Sequence, residues 1–218
     1  MRTVLLGFTF ATVLLAQNPQ RIKVTVERQE TGGWRALNPA TVFASGDHLR
    51  FRVSTTIAGY LYVMDRGTSG GYDLMFPRAD TGSDNRIEAA REYTVPATQG
   101  FFRVSGPQGF DIVYWVLSPL ELGKQYKPLP PPPAPGSVPP SMQPRCDDDI
   151  FKARGDCIDA SAGVKAVPPG EKLPENLNGV ANATSRDLIF SEEQAQTVVS
   201  SPTPLSGPIV YELRLAHR

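Results

Sequence analysis

The chain has 218 residues and carries 22 basic and 22 acidic side chains, so its formal net charge at pH 7 is zero. This balance argues against a nucleic-acid-binding protein, because that class neutralises phosphates with an excess of Lys and Arg. No basic cluster or basic amphipathic helix occurs, which argues against an anionic membrane surface as partner. The length suits one domain of ordinary size with additional segments.

The N-terminal stretch MRTVLLGFTFATVLLA has one positive charge, Arg2, followed by an uncharged apolar run over residues 4–15. This layout predicts a secretory signal peptide over residues 1–16, cleaved after Ala16. A membrane-spanning helix needs roughly 20 apolar residues, and the polar residues at 17–19 end the run too early. We therefore expect an exported protein, periplasmic or extracellular, with no transmembrane segment after cleavage.

The pattern of residues 17–124 is that of β-strands. Apolar and polar residues alternate over residues 22–26 and again over residues 48–53, which predicts two half-buried strands. The runs at 59–64 and 110–117 are apolar on both faces, as in central strands of a sheet. Glycine-containing turns separate these runs, and no helical crossover pattern occurs between them. We predict a β-sandwich domain here.

The composition changes near Gln125, because 14 of the 21 prolines and only three aromatic residues lie in residues 125–207. Such a stretch buries little apolar surface, so it predicts a Pro-rich, mostly irregular insertion. Within it, the sequence SEEQ at residues 191–194 matches a capping box. It predicts a short helix that runs to about Val199.

The last eleven residues, 208–218, return to strict alternation. One face is apolar and the other polar, with Ile209, Tyr211, Leu213 and Leu215 opposed by Glu212, Arg214 and His217. An isolated strand would leave its apolar face bare, so we expect it to fold back as the last strand of the domain. The fold class is then all-β, an antiparallel sandwich of immunoglobulin-like type.

Two cysteines occur, Cys146 and Cys157. In an oxidising compartment a close pair predicts a local disulfide. A continuous helix would place the two Cα atoms about 16 Å apart, whereas bridged Cα atoms lie roughly 4.4–6.8 Å apart. The segment must therefore bend, and Gly155 is the residue best suited to it. A redox-active pair is the alternative, but the spacing is not that of a Cys-x-x-Cys motif.

Acidic residues cluster around this cysteine pair and could hold a calcium ion. Calcium takes 6–8 oxygen ligands, often from flexible loops of extracellular modules. The candidate ligands are Asp147, Asp148, Asp149 and Asp156, with Asp159 nearby and a second group at Asp80, Asp84 and Asn85. Neither group fits the EF-hand pattern, and Asp147 and Asp148 would equally favour the N-terminus of a short helix. We expect no other metal site and no cofactor.

No constellation for catalysis stands out in the sequence. The glycine-rich stretch RGTSGG at residues 66–71 lacks the lysine and the following helix of a phosphate-binding loop, so it is interpreted as a loop between strands. His48 and His217 are the only histidines, and no Gly-x-Ser-x-Gly motif occurs. We therefore expect no catalytic residues, with a hydrolase that uses His48 as base kept as an alternative.

The order of motifs between residues 45 and 119 resembles a bacterial family known as domain of unknown function 4384. The motifs that carry the resemblance are GD at 46–47, GYLY at 59–62, LMFP at 74–77, NRI at 85–87, YTVP at 93–96 and IVYWVL at 112–117. The resemblance implies a β-sandwich accessory domain without an established activity. Relatives are often joined to kinase-like or caspase-like domains, which implies an interaction role.

Together these observations predict a non-enzymatic, exported module that contacts an unknown protein or a component of the cell envelope. Tyr60 and Tyr62 share one face of their strand and are candidates for the binding surface, because tyrosine is enriched in interface hot spots. Packing in the core is the competing interpretation of the same two residues. A calcium-stabilised envelope domain and a secreted hydrolase are the two alternatives for function.

Overall fold

A computed structural model describes residues 19–68, 70–122, 143–168, 188–193, 195–201 and 207–218. Within these residues the chain forms two seven-stranded sheets and one short helix, α1 (Asp148–Arg154). The first sheet contains β1 (Gln20–Glu30), β2 (Gly33–Leu37), β4 (His48–Thr55), β8 (Glu92–Val95), β9 (Phe102–Arg103), β12 (Ile189–Glu193) and β13 (Gln196–Ser201). Its order is β12-β13-β1-β4-β8, with β2 beside β1 and β9 beside β4.

The second sheet is built around the two longest of its strands. It contains β3 (Val42–Phe43), β5 (Gly59–Arg66), β6 (Tyr72–Phe76), β7 (Arg86–Ile87), β10 (Gly109–Ser118), β11 (Gly163–Lys165) and β14 (Ile209–His217). Its order is β11-β14-β10-β5-β6, with β3 beside β14 and β7 beside β5. All pairs are antiparallel except β14 with β3. The all-β sandwich is thereby confirmed, while the immunoglobulin-like subtype stays a prediction.

One apolar core lies between the two sheets. Alternate residues of β1 and β4 meet alternate residues of β5, β10 and β14, as expected when each strand buries one face. The rings of Phe51 and Trp115 meet edge to face across the gap, with centroids 5.2 Å apart. Trp115 in turn stacks on Tyr211, and all three side chains are buried.

The predicted last strand returns to the sandwich as expected. β14 pairs with β10 over nine residues, from Leu117 opposite Ile209 to Gly109 opposite His217. The prediction that Glu212 and His217 face water is wrong, because both side chains are buried. Glu212 lies on the face of β14 that other segments of the chain cover. Alternation places His217 on the same face of β14 as Ile209, and not on the face of Glu212.

The predicted helix after residue 191 is wrong as well. β12 and β13 form a hairpin in which Glu193 pairs with Gln196, and β13 continues the first sheet beside β1. A capping box supplies only local hydrogen bonds, whereas the β-branched residues from Thr197 to Val199 are suited to a strand. Their burial against the sandwich outweighs the local signal. This part of the predicted irregular insertion is therefore sheet.

The predicted disulfide is present, and its segment bends where expected. Cys146 is bonded to Cys157, with Cα atoms 4.7 Å apart. α1 ends at Gly155, whose φ of 73° is the left-handed conformation that glycine adopts without strain. The side chain of Asp147 begins the helix by accepting hydrogen bonds from the amides of Asp149 and Ile150.

Two predictions fall wholly or partly on residues that the structure does not describe. These are the signal peptide at 1–16 and the Pro-rich insertion, of which residues 125–142, 169–187, 194 and 202–206 lie outside the described residues. Among the described residues, no helix has the length and apolar character needed to cross a membrane.

Candidate functional site

The outer face of the first sheet carries a cluster of aromatic and cationic side chains that is open to solvent. We call the five residues Trp34, His48, Arg50, Phe101 and Arg103 the open face. Register brings them together, because Trp34 on β2 lies opposite Gln29 on β1, and His48 on β4 lies opposite Arg103 on β9. Phe101 directly precedes β9 and is 44% exposed. The cluster therefore crosses four neighbouring strands.

Each aromatic ring of the open face is held by a nitrogen-containing partner. The guanidinium carbon of Arg50 lies 4.4 Å from the centre of the Trp34 ring, a cation–π contact. The His48 ring stacks on Phe101, with centroids 3.7 Å apart and planes 16° from parallel. His48 Nδ1 is also 2.9 Å from Gln29 Oε1. These contacts hold two aromatic rings in fixed orientations where they reach the solvent. Aromatic side chains in such positions are effective anchors in protein interfaces.

A buried carboxylate fixes the guanidinium groups beneath this surface. Glu27 has Oε2 2.7 Å from Arg50 Nε and Oε1 2.7 Å from Arg52 Nε. Simple alternation predicts Glu27 on a wet face, yet it is buried because the two long Arg side chains cover it. Within the described part of the chain, Arg103 has no hydrogen-bond or ion-pair partner. The open face therefore offers one unpaired cation beside Phe101.

A second polar cluster closes one end of the sandwich. Thr68 donates from its amide and its hydroxyl to Asp111 Oδ1, at 2.9 and 3.0 Å. His217 Nε2 lies 3.1 Å from Thr68 Oγ1 and 3.3 Å from Asp111 Oδ2. A hydroxyl, an imidazole and a carboxylate thus meet, as in hydrolases.

The geometry of this cluster differs from that of a catalytic triad. In a triad the carboxylate binds Nδ1, so that Nε2 is free to take the hydroxyl proton. Here Thr68 and Asp111 both approach Nε2 of His217, and among the described residues its buried Nδ1 has no hydrogen-bond partner. The Thr68 hydroxyl also gives its proton to Asp111. We therefore interpret this cluster as a set of structural contacts that close one end of the sandwich, and not as a catalytic site.

Asp65 lies near this closure at the end of β5. It has one carboxylate oxygen, Oδ1, that is out of contact with water and without a hydrogen-bond partner among the described residues. Burial raises the pKa of Asp65 well above its usual range, and the negative charges of Asp111 and Asp73 raise it further. The charged form of Asp65 is therefore unfavourable in the folded protein.

The two tyrosines singled out from the sequence lie on the outer side of the second sheet. Tyr60 and Tyr62 are both half-buried, and Tyr62 packs against an apolar cluster around Tyr114. The Tyr62 hydroxyl accepts a hydrogen bond from the Leu122 amide at 2.8 Å and lies 3.2 Å from its carbonyl oxygen. This hydroxyl therefore holds the chain that follows β10.

Several of the residues considered for calcium have other contacts, while Asp148 and Asp149 lie in the first turn of α1 and Asp156 lines a groove beside it. Asp147 caps α1, and Asp159 accepts hydrogen bonds from the amides of Arg145 and Ser161. Asp80 pairs with Arg78, and the side chain of Asn85 donates to the Leu61 carbonyl. In the portion of the chain that the structure describes, no three His, Cys, Asp or Glu side chains converge as a metal site.

The glycine-rich stretch is a loop, as predicted. It joins β5 to β6 through hydrogen bonds from the amide of Gly67 to the carbonyl of Gly71 and from the amide of Gly70 to that of Gly67. Thr68 in this loop anchors it to β10 through Asp111. A phosphate-binding loop would open a helix, whereas this loop leads into a strand.

The residues of the open face were largely missed from the sequence. Arg50 and Glu27 could have been found, since both lie on the polar faces of two strands with clear alternation. Trp34 and Phe101 lie next to turns, where a single aromatic residue carries no periodic signal. Only the pairing of β1 with β2, and of β4 with β9, shows that they are neighbours.

Comparison with known proteins gives one result. The family model described as "Domain of unknown function (DUF4384)" matches residues 42–121. This confirms, over the matched stretch, the resemblance inferred from the motifs. No curated protein and no solved structure matches the chain. The matched range runs from β3 to just past β10, so β1, β2 and the strands from β11 onward lie outside it.

Proposed function

We propose that the protein is an exported, non-enzymatic binding module that contacts another protein, or a component of the cell envelope, through the open face. The observation that carries this proposal is the pairing of two aromatic rings that reach the solvent with fixed nitrogen-containing partners, Trp34 with Arg50 and Phe101 with His48. Trp, Tyr and Arg dominate the hot spots of protein interfaces. The predicted signal peptide at residues 1–16 and the disulfide support an exported protein.

Electrostatics on this face favour a partner with acidic or aromatic groups. Glu27 already neutralises much of the charge of Arg50 and Arg52, whereas Arg103 has no paired carboxylate among the described residues. A carboxylate of the partner would reach Arg103 at the edge of the aromatic cluster. Such rim charges act mainly on the rate of association and on its salt dependence.

A photo-crosslinking experiment tests the proposal. A photoreactive amino acid is placed at the exposed position Gln29, directly opposite Trp34 on the neighbouring strand, and in a second protein at Glu121, which lies on a different strand connection. We expect the first protein to form a specific adduct in the cell envelope and the second to form none. Adding Arg50→Ala to the first protein should abolish the adduct, because it removes the cation that holds the Trp34 ring.

Two results would contradict the proposal. Equal adducts from positions 29 and 121 would mean that the open face is not selective. An adduct from position 29 that survives both Arg50→Ala and Phe101→Ala would mean that the aromatic pairs do not take part in the contact. Folding of each variant is checked by circular dichroism, and both substituted side chains are partly exposed.

A further inference from the structure

A groove of about 280 Å³ lies between β2, the connection from β2 to β3, and the end of α1. Three guanidinium groups line it, those of Arg28, Arg35 and Arg218. Its apolar lining includes Leu37 and the ring of Phe151, which is 50% exposed. The groove therefore combines three guanidinium groups with an apolar surface, and it is separate from the open face.

The two walls of the groove are joined to each other. The amide of Val42 donates to the carbonyl of Cys157 at 2.8 Å, and the amide of Asp159 donates to the carbonyl of Ala40 at 3.0 Å. The bond from Cys157 to Cys146 closes the segment that contains α1. The groove is thus formed by fixed elements, which lowers the entropy lost when a ligand binds.

The guanidinium groups retain free donors toward a ligand. Glu30 accepts from Arg28 Nη2 at 2.8 Å and from Arg35 Nε at 2.7 Å, which holds both side chains and leaves the terminal nitrogens of Arg35 without a partner among the described residues. The side chain of Arg218 contacts only Cys146 Sγ, at 3.7 Å, within the same residues. Asp156 is the one carboxylate in the lining.

We propose that this groove binds the C-terminal residue of a peptide. Its carboxylate would lie against Arg35 and Arg218, since guanidinium groups bind carboxylates through two parallel hydrogen bonds. Its apolar side chain would lie on Leu37 and Phe151. The volume is at the low end for ligand pockets, which fits one or two residues rather than a folded segment. The peptide terminus places a carboxylate and a side chain on the same carbon, so one residue can meet both the charged and the apolar part of the lining.

The test compares two probes that differ only in charge, acetyl-Ala-Phe with a free carboxylate and the same dipeptide with a terminal amide. Each is titrated into the full, disulfide-bonded protein, and binding is followed by NMR of the backbone amides and the arginine Nε groups. We expect saturable shifts at Arg35, Arg218 and Phe151 with the acid, and binding at least about tenfold weaker with the amide, which lacks the charge-assisted bonds.

Substitutions complete the test. Arg218→Gln should weaken binding of the acid about three- to tenfold, and Asp156→Asn should strengthen it about twofold because a repelling carboxylate is removed. Arg91→Gln serves as the matched control, since Arg91 is an exposed arginine whose contacts, with Glu88 and the Tyr93 ring, lie outside the groove. Arg50→Ala should leave peptide binding unchanged, which separates this site from the open face. Equal affinity for acid and amide, no saturable shift, or normal binding by Arg218→Gln would each overturn the proposal.

Discussion

The outer faces of the two sheets have opposite characters. On the second sheet, Met64, Tyr114 and Val116 point away from the core and are nevertheless fully buried, because the segments around Leu122 and Val167 cover them. On the first sheet, Trp34, Arg50 and their neighbours remain in contact with water. A sandwich in which one outer face is closed and the other open has one broad surface available for a partner. This difference supports our proposal that a partner would bind the open face of the first sheet.

The largest effect on the unfolding free energy is expected when one aromatic side chain on each outer face is replaced by alanine. Tyr114→Ala removes a buried ring that stacks on Tyr72 and lies beneath Arg66, and it should cost about 3–5 kcal/mol of unfolding free energy. Trp34→Ala removes a half-exposed ring and one cation–π contact, so its cost should be about 0.5–1 kcal/mol. Urea unfolding followed by circular dichroism measures both.

Equal losses of unfolding free energy for Tyr114→Ala and Trp34→Ala would contradict this difference between the two outer faces. In that case the outer face of the second sheet would be no more buried in solution than that of the first. Phe101→Ala serves as a second probe of the open face and should resemble Trp34→Ala.

A smaller effect is expected from the carboxylate that fixes the open face. Glu27→Gln leaves the guanidinium groups of Arg50 and Arg52 without their buried partner and should cost about 1–3 kcal/mol. Glu92 also pairs with Arg52, at 3.5 Å, but its side chain is 57% exposed. Glu92→Gln is therefore the matched control, and it should cost less than about 1 kcal/mol. Urea unfolding at pH 7 distinguishes the two.

If Glu27→Gln were as mild as Glu92→Gln, the open face would be held by its aromatic contacts alone. The orientation of Arg50 over Trp34 would then not depend on Glu27. The NMR chemical shifts of the Trp34 indole in the Glu27→Gln variant would show independently whether Arg50 keeps its position, since the Trp34 ring lies under the Arg50 guanidinium group.

The smallest effect concerns Asp65 and depends on pH. Because its pKa is raised in the folded state, folded protein holds the proton over a pH range where the unfolded chain has lost it. Stability should therefore fall as pH rises from about 4, the ordinary range of Asp, through the raised pKa, and stay lower above it. Asp65→Asn removes this loss, so it should stabilise the protein at neutral pH by on the order of 1 kcal/mol.

The measurement is the difference in unfolding free energy between wild type and Asp65→Asn at several pH values, which cancels the other titrating groups. Glu121→Gln, at an exposed acidic residue, should show no such pH-dependent difference. A difference that is constant from pH 4 to pH 8 would mean that Asp65 ionises as easily in the folded protein as in the unfolded chain.

Much of the fold could be predicted from local pattern. Alternation predicted β1, β4 and β14, and the apolar runs predicted β5 and β10, because burying one or both faces of a strand leaves a period of two or a continuous apolar run. The cysteine spacing together with Gly155 predicted the bend and the disulfide. Each of these signals lies within about a dozen neighbouring residues.

The rest was decided by pairing between distant parts of the chain. The hairpin of β12 and β13 replaced a predicted helix because β13 could pair with β1, about 175 residues earlier in the sequence. Glu27 and His217 were predicted to face water, yet tertiary neighbours bury both. The open face and the groove combine residues from several strands and from α1. Sequence alone determined the five strands with a clear apolar pattern, β1, β4, β5, β10 and β14. Only the tertiary arrangement decided which side chains meet, because contacts across a sheet depend on register and on which face is covered.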